Sequence, residues 1–260
     1  MLKPMGVKTF DEYALHVFLP YISSQLSGVS RLDIIWDTYK QDSLKGTARS
    51  KRGKGVRRHV VGKACLPGNW QSFLRLDSNK TELFRFLSSV LLKELCDTNK
   101  KIVVTDGEMI RYTQILQNMH TLSPCSHEEA DTRILLHVSH AAQHGHQQII
   151  IRTVDTDVVV LSVYAMNKLP SGTELWLAFG TGKSFHYLAA HEIAASLGLE
   201  RACALPMFHA LTGCDTVSSF AGHGKKAAWS TWKSLPEMTD ALLMLQEAPI
   251  EVPENAITII

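Results

Sequence analysis

Cysteine pairs and long apolar runs are what this sequence most clearly lacks. Its five cysteines are odd in number, lie far apart and form no C-x-x-C pair, which argues against a disulfide framework or a zinc ribbon. No apolar run reaches the length of a membrane span, and residues 1–6 lack the apolar segment of a signal peptide. We therefore expect a soluble protein of a reducing, intracellular compartment.

A glycine needed for a phosphate-binding loop is also missing. The segment Gly180-Thr-Gly-Lys-Ser184 is similar to the end of a P-loop, but that motif needs a glycine five positions before Gly182, where Leu177 stands. A hairpin turn is the better interpretation of these glycines. The sequence also lacks the glycines of a Rossmann nucleotide site, so we set both classes of nucleotide enzyme aside.

Four histidines lack the partners of a zinc site. His137, His140 and His144 are spaced by three and four residues, which places them on one face of a helix, and His146 follows. No cysteine or carboxylate stands at ligand spacing to complete the site. We expect an exposed helix face, with zinc binding as the alternative.

The apolar pattern predicts one large α/β domain. Hydrophobic residues make up 45% of the 260, enough for a packed core. We expect helices over 10–26, 80–95, 128–144, 190–197 and 238–246, and strands over 32–36 and 102–105, from 149, over 174–179 and over 185–188. Their alternation predicts a mostly parallel sheet flanked by helices. We assign this domain to 1–236 and a C-terminal helix and tail to 237–260.

The net charge of +2 conceals a concentrated run of positive charge. Residues 45–59 contain no acid and seven basic side chains: Lys45, Arg49, Lys51, Arg52, Lys54, Arg57 and Arg58. Such a run is most often a solvated, flexible face. Undiluted positive charge is also typical of surfaces that bind phosphate. We favour phosphate binding because of the carboxylates elsewhere in the chain.

Two carboxylates interrupt the apolar stretch over residues 149–161. The β-branched residues on both sides of Asp155 and Asp157 predict buried strands of a parallel sheet, with the pair at or just past a strand's carboxyl end. On an extended backbone, residues two apart point the same way, and two converging negative charges favour a cation between them. The alternative is a turn in which an aspartate caps the next helix.

Further carboxylates fall at the ends of predicted elements. Glu128, Glu129 and Asp131 open a helix, Asp37 ends a strand, and Asp215 precedes a helical stretch. Helix capping is the simpler explanation of the helix-opening set. As a group, however, oxygen-only ligands select Mg²⁺ or Mn²⁺, which often act on phosphate in pairs about 4 Å apart. Together with the basic run, this group predicts a phosphodiester substrate.

The order of these motifs resembles that of the flap-endonuclease/XPG family, whose core is the PIN-like nuclease fold. The acidic segment His127-Glu-Glu-Ala-Asp-Thr is similar to the family's Glu-Ala-Glu at a helix start, and Thr153-Val-Asp-Thr-Asp-Val to its Asp-x-Asp strand end. The segment Thr212-Gly-Cys-Asp through Gly222-His-Gly-Lys-Lys-Ala is similar to its helix-two-turn-helix. Ile34-Ile-Trp-Asp is similar to a Phe-Asp-Gly strand end, and the resemblance covers about Leu32 to Trp229.

Carried onto this chain residue by residue, the resemblance implies three sets of functional residues. Six carboxylates would bind metal: Asp37, Glu129, Asp131, Asp155, Asp157 and Asp215. Two basic residues, Lys45 and Arg52, would be catalytic by orienting the scissile phosphate. Four residues, Gly222, Gly224, Lys225 and Lys226, would hold the nucleic-acid backbone. The charge of the basic run, and not the resemblance, adds four further nucleic-acid contacts: Arg49, Lys51, Arg57 and Arg58.

The chain departs from the family pattern at two places. The family has a further strand, with its own metal-binding aspartate, before the segment that Met1 begins, and nothing before Leu32 supplies one. We therefore expect an N-terminally truncated chain, or a member without that ligand, in which metal binding is weakened or turnover is abolished. Gly53 and Gly55 should also break the helix that the family has in the basic segment.

The predicted function is that of a metal-dependent nuclease that hydrolyses phosphodiester bonds in DNA, with flap or branched substrates implied by the resemblance. Two Mg²⁺ or Mn²⁺ ions would be its cofactors, and RNA is an alternative substrate. We expect a nuclear monomer without a membrane partner. The alternative function is a nucleic-acid-binding or interaction module that keeps the PIN-like fold without the reaction, and it predicts salt-sensitive DNA binding without cleavage.

Overall fold

The computed structural model describes residues 1–40, 55–214 and 224–247, together with Ala256. The chain divides into two compact units, Met1–Arg133 and Ile134–Ile260. Both units contain helices and strands, so the predicted α/β class is confirmed. Within the described ranges, none of the helices has the length and apolar character needed to cross a bilayer.

A long helical segment opens the first unit. Helix α1, Phe10–Tyr13, starts after Thr9, whose hydroxyl accepts the Glu12 N–H at 3.2 Å. A π-helical segment, Ala14–Phe18, continues α1 into helix α2, Leu19–Leu26. The helix predicted over 10–26 is therefore confirmed, with a widened middle that the apolar spacing does not reveal.

Two further helices pack into the same unit. Helix α3, Trp70–Leu74, starts after Asn69, whose side chain accepts the Ser72 N–H at 2.8 Å. Helix α4, Asp77–Glu94, is the helix predicted over 80–95. It buries Leu83, Leu87 and Leu91, which lie four residues apart on one face.

The first sheet consists of three strands in the order β1-β2-β3. These strands are Arg31–Ile34, Lys101–Asp106 and Met109–Tyr112. β1 and β2 are parallel, whereas β2 and β3 are antiparallel. The antiparallel pair follows from a two-residue connection in which Gly107 has a φ of +60°, a conformation typical of tight hairpins.

Aromatic packing fixes the chain where it leaves β1. Trp36 stacks on Phe84 of α4 with ring centroids 4.4 Å apart, and its indole N–H donates to the Ser88 hydroxyl at 3.0 Å. The Trp36 backbone N–H donates to Thr105 Oγ1 at 2.8 Å. These contacts to α4 and β2 determine where the next residue, Asp37, is placed.

Helix α5, Ala130–Gln143, leads from the first unit into the second. The second sheet has the order β4-β5-β6, with strands Gln148–Thr153, Glu174–Phe179 and His186–Ala189. β4 and β5 are parallel and are joined through helix α6, Thr156–Ala165, whereas β5 and β6 are antiparallel.

Within residues 190–214 and 224–247, four helices follow the second sheet. They are α7, Ala190–Leu197; α8, Leu199–Leu211; α9, Lys225–Ser234; and α10, Met238–Gln246. Val158 of α6, Leu175 of β5 and Ala202 of α8 belong to one buried cluster. The last three helices share a second cluster, which contains Phe208 and Trp232. The first cluster places the start of α6 near the end of α8.

The prediction of a single, mostly parallel sheet is wrong for the described residues. They form two three-stranded sheets, each with one parallel and one antiparallel pair, because hairpins reverse the chain after β2 and after β5. The apolar residues 158–161, which we expected to extend a strand, belong to α6. An apolar segment without periodicity does not distinguish a buried strand from a buried helix.

Candidate functional site

Asp155 and Asp157 lie where β4 passes into α6. Asp155 is the N-cap of α6, and its Oδ1 accepts the Asp157 N–H at 2.9 Å. Its own N–H donates to Thr153 Oγ1 at 3.0 Å. Asp157 lies in the first turn of the helix, so the pair does not share an extended backbone as predicted. The capping alternative therefore describes the local geometry correctly.

A hydrogen-bond chain joins Asp157 to a lysine of another helix. His209, in the last turn of α8, has Nε2 at 2.9 Å from Asp157 Oδ1. On the other side of the ring, Lys225 Nζ lies 2.8 Å from His209 Nδ1. The His209 and Asp157 side chains retain only 13% and 31% of their exposure to solvent. No local pattern points to His209, whose partner lies 52 positions away.

The two carboxylates fit a divalent cation in their chemistry. Within the described part of the chain, the protein donates hydrogen bonds only to Oδ1 of Asp155 and of Asp157. The Oδ2 atom of each carboxylate is therefore available to another ligand. Carboxylate oxygens are the donors that Mg²⁺ and Mn²⁺ prefer, so this pair supplies a suitable partial set.

The acidic residues of the first unit surround the beginning of α5. Asp37 Oδ1 accepts the Ala130 N–H at 3.0 Å, and Asp37 Oδ2 accepts the Tyr39 hydroxyl at 3.2 Å. Asp131 lies in the first helical turn, and Glu129 immediately precedes the helix. Asp37 thus caps this helix from a distant segment. Metal binding by Asp37, Glu129 and Asp131 stays a prediction.

A buried arginine supports the same helix start. Arg133 is 1% exposed, and its guanidinium donates to the carbonyls of Gly107 and Met109 at the β2–β3 hairpin. Burial lowers the pKa of this guanidinium, because desolvation disfavours its charged form. The side chain thus holds the first turn of α5 against the hairpin. No pattern around Arg133 in the sequence indicates this role.

The structure places the predicted basic residues Arg57 and Arg58 beside α4. Asn79 is fully buried, and its Oδ1 accepts Arg57 Nη1 at 2.9 Å and the Arg58 N–H at 3.1 Å. Arg57 also forms an ion pair with Glu82. The Arg57 guanidinium is therefore engaged by protein partners. The sequence prediction of nucleic-acid contact for both arginines stays untested.

Of the remaining predicted functional residues, the structure describes Gly224, Lys225 and Lys226. Gly224 is the N-cap of α9, and Lys225 and Lys226 are exposed at its start. Six predicted functional residues lie outside the described residues: Lys45, Arg49, Lys51, Arg52, Asp215 and Gly222.

We expected the histidines of α5 to lie on an exposed helix face, and this expectation is wrong. His137 and His140 are 3% and 2% exposed. The His140 ring stacks on that of His144 with centroids 4.1 Å apart. The expectation fails because α5 is covered on more sides than the pattern of its aliphatic residues indicates.

The predicted hairpin over residues 180–184 is confirmed. Gly180 has a φ of +84°, and the segment connects the antiparallel strands β5 and β6. Ser184 donates its hydroxyl to the Thr181 carbonyl at 2.8 Å, which closes the turn. Gly182–Ser184 form a short 3-10 turn, and β6 follows it. The segment is therefore a strand connection, whereas a P-loop would lead into an α-helix.

Neither a search of the described residues for metal-ligand clusters nor a comparison with known proteins assigns a metal site or a family to this chain. Across the described ranges, no three His, Cys, Asp or Glu side chains are grouped so that they could hold a metal ion. No family model, curated protein or solved structure matches this chain.

Proposed function

We propose that this protein is a divalent-metal-dependent nuclease that hydrolyses phosphodiester bonds in DNA. The observation that carries the proposal is the arrangement of Asp155 and Asp157 past the carboxyl end of β4. Among the residues that the structure describes, each carboxylate is held through Oδ1 and leaves Oδ2 available, and a lysine is joined to the pair through His209. The carboxyl ends of strands in open α/β sheets are where ligands commonly bind.

The residues of this site have complementary charges for phosphodiester chemistry. Asp155 and Asp157 would hold Mg²⁺ or Mn²⁺, which when bound supplies an activated water and neutralises charge on the phosphate. The exposed ammonium groups of Lys225 and Lys226 at the start of α9 suit the DNA backbone, because phosphate contacts by lysine dominate affinity for nucleic acid. We propose two Mg²⁺ or Mn²⁺ ions, because metal ions that act on phosphate often work in pairs.

The finer assignments belong to the same proposal. They are a PIN-like fold, a relation to the flap-endonuclease/XPG family, flap or branched DNA as substrate and a nuclear location. The order of the acidic motifs along the chain, from Asp37 through Asp131 and Asp157 to Asp215, supports the fold, the family relation and the substrate.

A second function is a nucleic-acid-binding module that no longer cleaves. One observation favours it: Asp155 caps α6 and Asp157 accepts a hydrogen bond from His209, so both carboxylates have a role in the fold alone. Such a module would bind DNA in a salt-sensitive manner, with or without a divalent ion.

A cleavage assay tests the proposal. The protein is incubated with labelled flap and linear DNA in Mg²⁺, in Mn²⁺ or with a chelator. We expect cleavage that needs the metal and is abolished in Asp155→Asn and Asp157→Asn. The matched control is Asp240→Asn, which changes an exposed aspartate of α10 and should cleave like the unmodified protein. Glu129→Gln and Asp131→Asn test the predicted ligands of the first unit separately.

Two results would count against the nuclease. Cleavage that persists in Asp155→Asn and Asp157→Asn would mean that another site, or a contaminant, is responsible. DNA binding by the unmodified protein without cleavage in either metal would support the binding module instead.

A further inference from the structure

The imidazole of His209 connects a metal-binding candidate to an exposed lysine. We infer that His209 is a positioning residue that orients the Asp157 carboxylate through Nε2–H, and that Lys225 fixes the imidazole tautomer in which it does so. The inference rests on the proposed function, because it assumes that Asp157 binds a metal ion. It assigns no contact between His209 and the substrate.

The direction of each hydrogen bond follows from the chemistry of the lysine. An ammonium group only donates, so Nδ1 of His209 accepts from Lys225 over the 2.8 Å contact. The ring proton then lies on Nε2, which donates to Asp157 Oδ1 over 2.9 Å. In this arrangement a neutral imidazole accepts the hydrogen bond from Lys225 and donates one to Asp157, so each of the three side chains has a partner.

Orientation of the carboxylate is the consequence of this bond. The terminal torsion of an aspartate is broad, so an unrestrained carboxylate samples many orientations. The His209 N–H fixes Oδ1 of Asp157, as the helix N–H fixes Oδ1 of Asp155. Both Oδ2 atoms are thereby held in set directions before any cation arrives. Such preorganised outer partners of metal ligands strengthen binding.

A favourable interaction of a charged His209 with the C-terminal end of α8 is the competing explanation of its position. That explanation needs a protonated ring, in which Nδ1 carries a proton and cannot accept from Lys225. The 2.8 Å contact between Nδ1 and the lysine therefore favours the neutral, orienting role. With the His209 side chain 13% exposed, little water is present to replace the bond to Asp157.

Nuclear magnetic resonance of protein labelled with ¹⁵N in its histidines tests the tautomer directly. We expect His209 to have a proton on Nε2 and none on Nδ1. Lys225→Met should weaken this preference, because Asp157 alone then favours the proton on Nε2, whereas Lys233→Met, which changes another exposed lysine of α9, should leave it unchanged. A proton on Nδ1 in the unmodified protein, or no change in Lys225→Met, would overturn the assignment.

Binding of Mn²⁺, followed by the electron paramagnetic resonance of the free ion, tests the orienting role without any activity. We expect His209→Leu to weaken binding by roughly 10- to 100-fold, the usual effect of losing an outer partner of a ligand. His209→Gln should recover most of the affinity, because its amide N–H can donate to Asp157. His191→Leu removes another half-buried histidine, bonded to the Leu175 carbonyl at 3.2 Å, and should bind as the unmodified protein does.

The outcomes separate the inference from the proposed function. If Asp157→Asn loses Mn²⁺ and His209→Leu does not, His209 has no orienting role and the nuclease proposal stands. If the unmodified protein binds no more Mn²⁺ than Asp157→Asn and cleaves no DNA, the proposed function is wrong, and the orienting role is wrong with it. If His209→Leu fails to fold, a failure of His209→Gln to bind Mn²⁺ although folded overturns the role.

Discussion

At the scale of single residues, Glu82 shows how a side chain restrains the end of the basic segment. Its carboxylate accepts from Arg57, and it also accepts the Val60 N–H at 3.0 Å. The hydrogen bond from Arg57 holds the pKa of Glu82 below its ordinary value, and the Val60 bond acts in the same direction. The ionised form of Glu82 is therefore favoured by folding.

Replacing this carboxylate should make stability depend less on pH. A lowered folded pKa means that the Glu82 contribution is complete above the unfolded pKa and disappears as pH falls through the folded value. Glu82→Gln should lower the free energy of unfolding by about 1 kcal/mol at pH 7, the upper range for exposed ion pairs, and by nearly nothing at pH 2. Urea unfolding at both pH values measures this.

The control for this prediction is Glu247→Gln, an exposed glutamate just past α10. It should show no such dependence. An equal loss at pH 7 and pH 2 in Glu82→Gln would mean that packing, and not charge, holds the residue.

Sequence reasoning at this scale found the carboxylates but not their partners. Asp155 and Asp157 stand out because charged residues interrupt an apolar run, and this signal is local. Asp37 capping Ala130 and His209 bonding Asp157 join positions 93 and 52 residues apart. Such contacts depend on how the elements pack, which one sequence does not determine.

At the scale of elements, helices and strands were predicted where apolar residues recur at a regular spacing, and were missed where that periodicity is weak. Helix α10 has the predicted bounds, Met238–Gln246, because its apolar residues recur on one face. Strand β3 was missed, since its four residues bury only Ile110 and show little alternation. Helix α8 was also missed, because Pro206 within it is a signal against a helix.

The β5–β6 hairpin offers a test of glycine placement. Gly180 and Gly172 have nearly equal φ values, +84° and +83°. A Cβ at Gly180 would lie 2.6 Å from the Ser184 carbonyl oxygen, whereas one at Gly172 would meet nothing within 4 Å. Both alanine variants carry the left-handed strain of about 1–2 kcal/mol. Gly180→Ala should lose roughly 1–3 kcal/mol more, the usual effect of overpacking.

Thermal unfolding of the two variants measures this difference. Gly172→Ala is the matched control, since it has the backbone strain without the close contact. Equal losses in both variants would show that the hairpin relaxes around the added methyl group.

At the scale of the whole molecule, the alternation of helices and strands predicted the α/β class correctly but predicted the arrangement of the strands wrongly. Alternating helices and strands indicate α/β, and this is confirmed. The mostly parallel arrangement failed because two hairpins add antiparallel strands, and only the second hairpin was predicted, although the first has an Asp106-Gly107 pair at its turn. The two-unit division has no compositional signal at all.

Each unit has its own buried core, so small cavities in the two cores should act independently. Ile102 of β2 and Ile151 of β4 are 0% and 5% exposed and belong to separate clusters. Ile102→Val and Ile151→Val should each lower the free energy of unfolding by about 1 kcal/mol. The double variant should lose their sum within about 0.5 kcal/mol.

Denaturant unfolding, with Ile150→Val as the control, measures these losses. Ile150 neighbours Ile151 but is 58% exposed, so its truncation should have almost no effect. A double variant that departs from the sum by more than 1 kcal/mol would show that the two cores are energetically coupled.

The bond between Lys225 and His209 also has a thermodynamic consequence. Lys225 has three N–H donors and gives one of them to the imidazole that holds Asp157. Any anion that displaces this lysine changes the restraint on the carboxylate, and so changes its affinity for a cation. Reciprocity then requires the cation to change the affinity for the anion by the same factor. Under the proposed function, a single histidine would make the two binding equilibria interdependent.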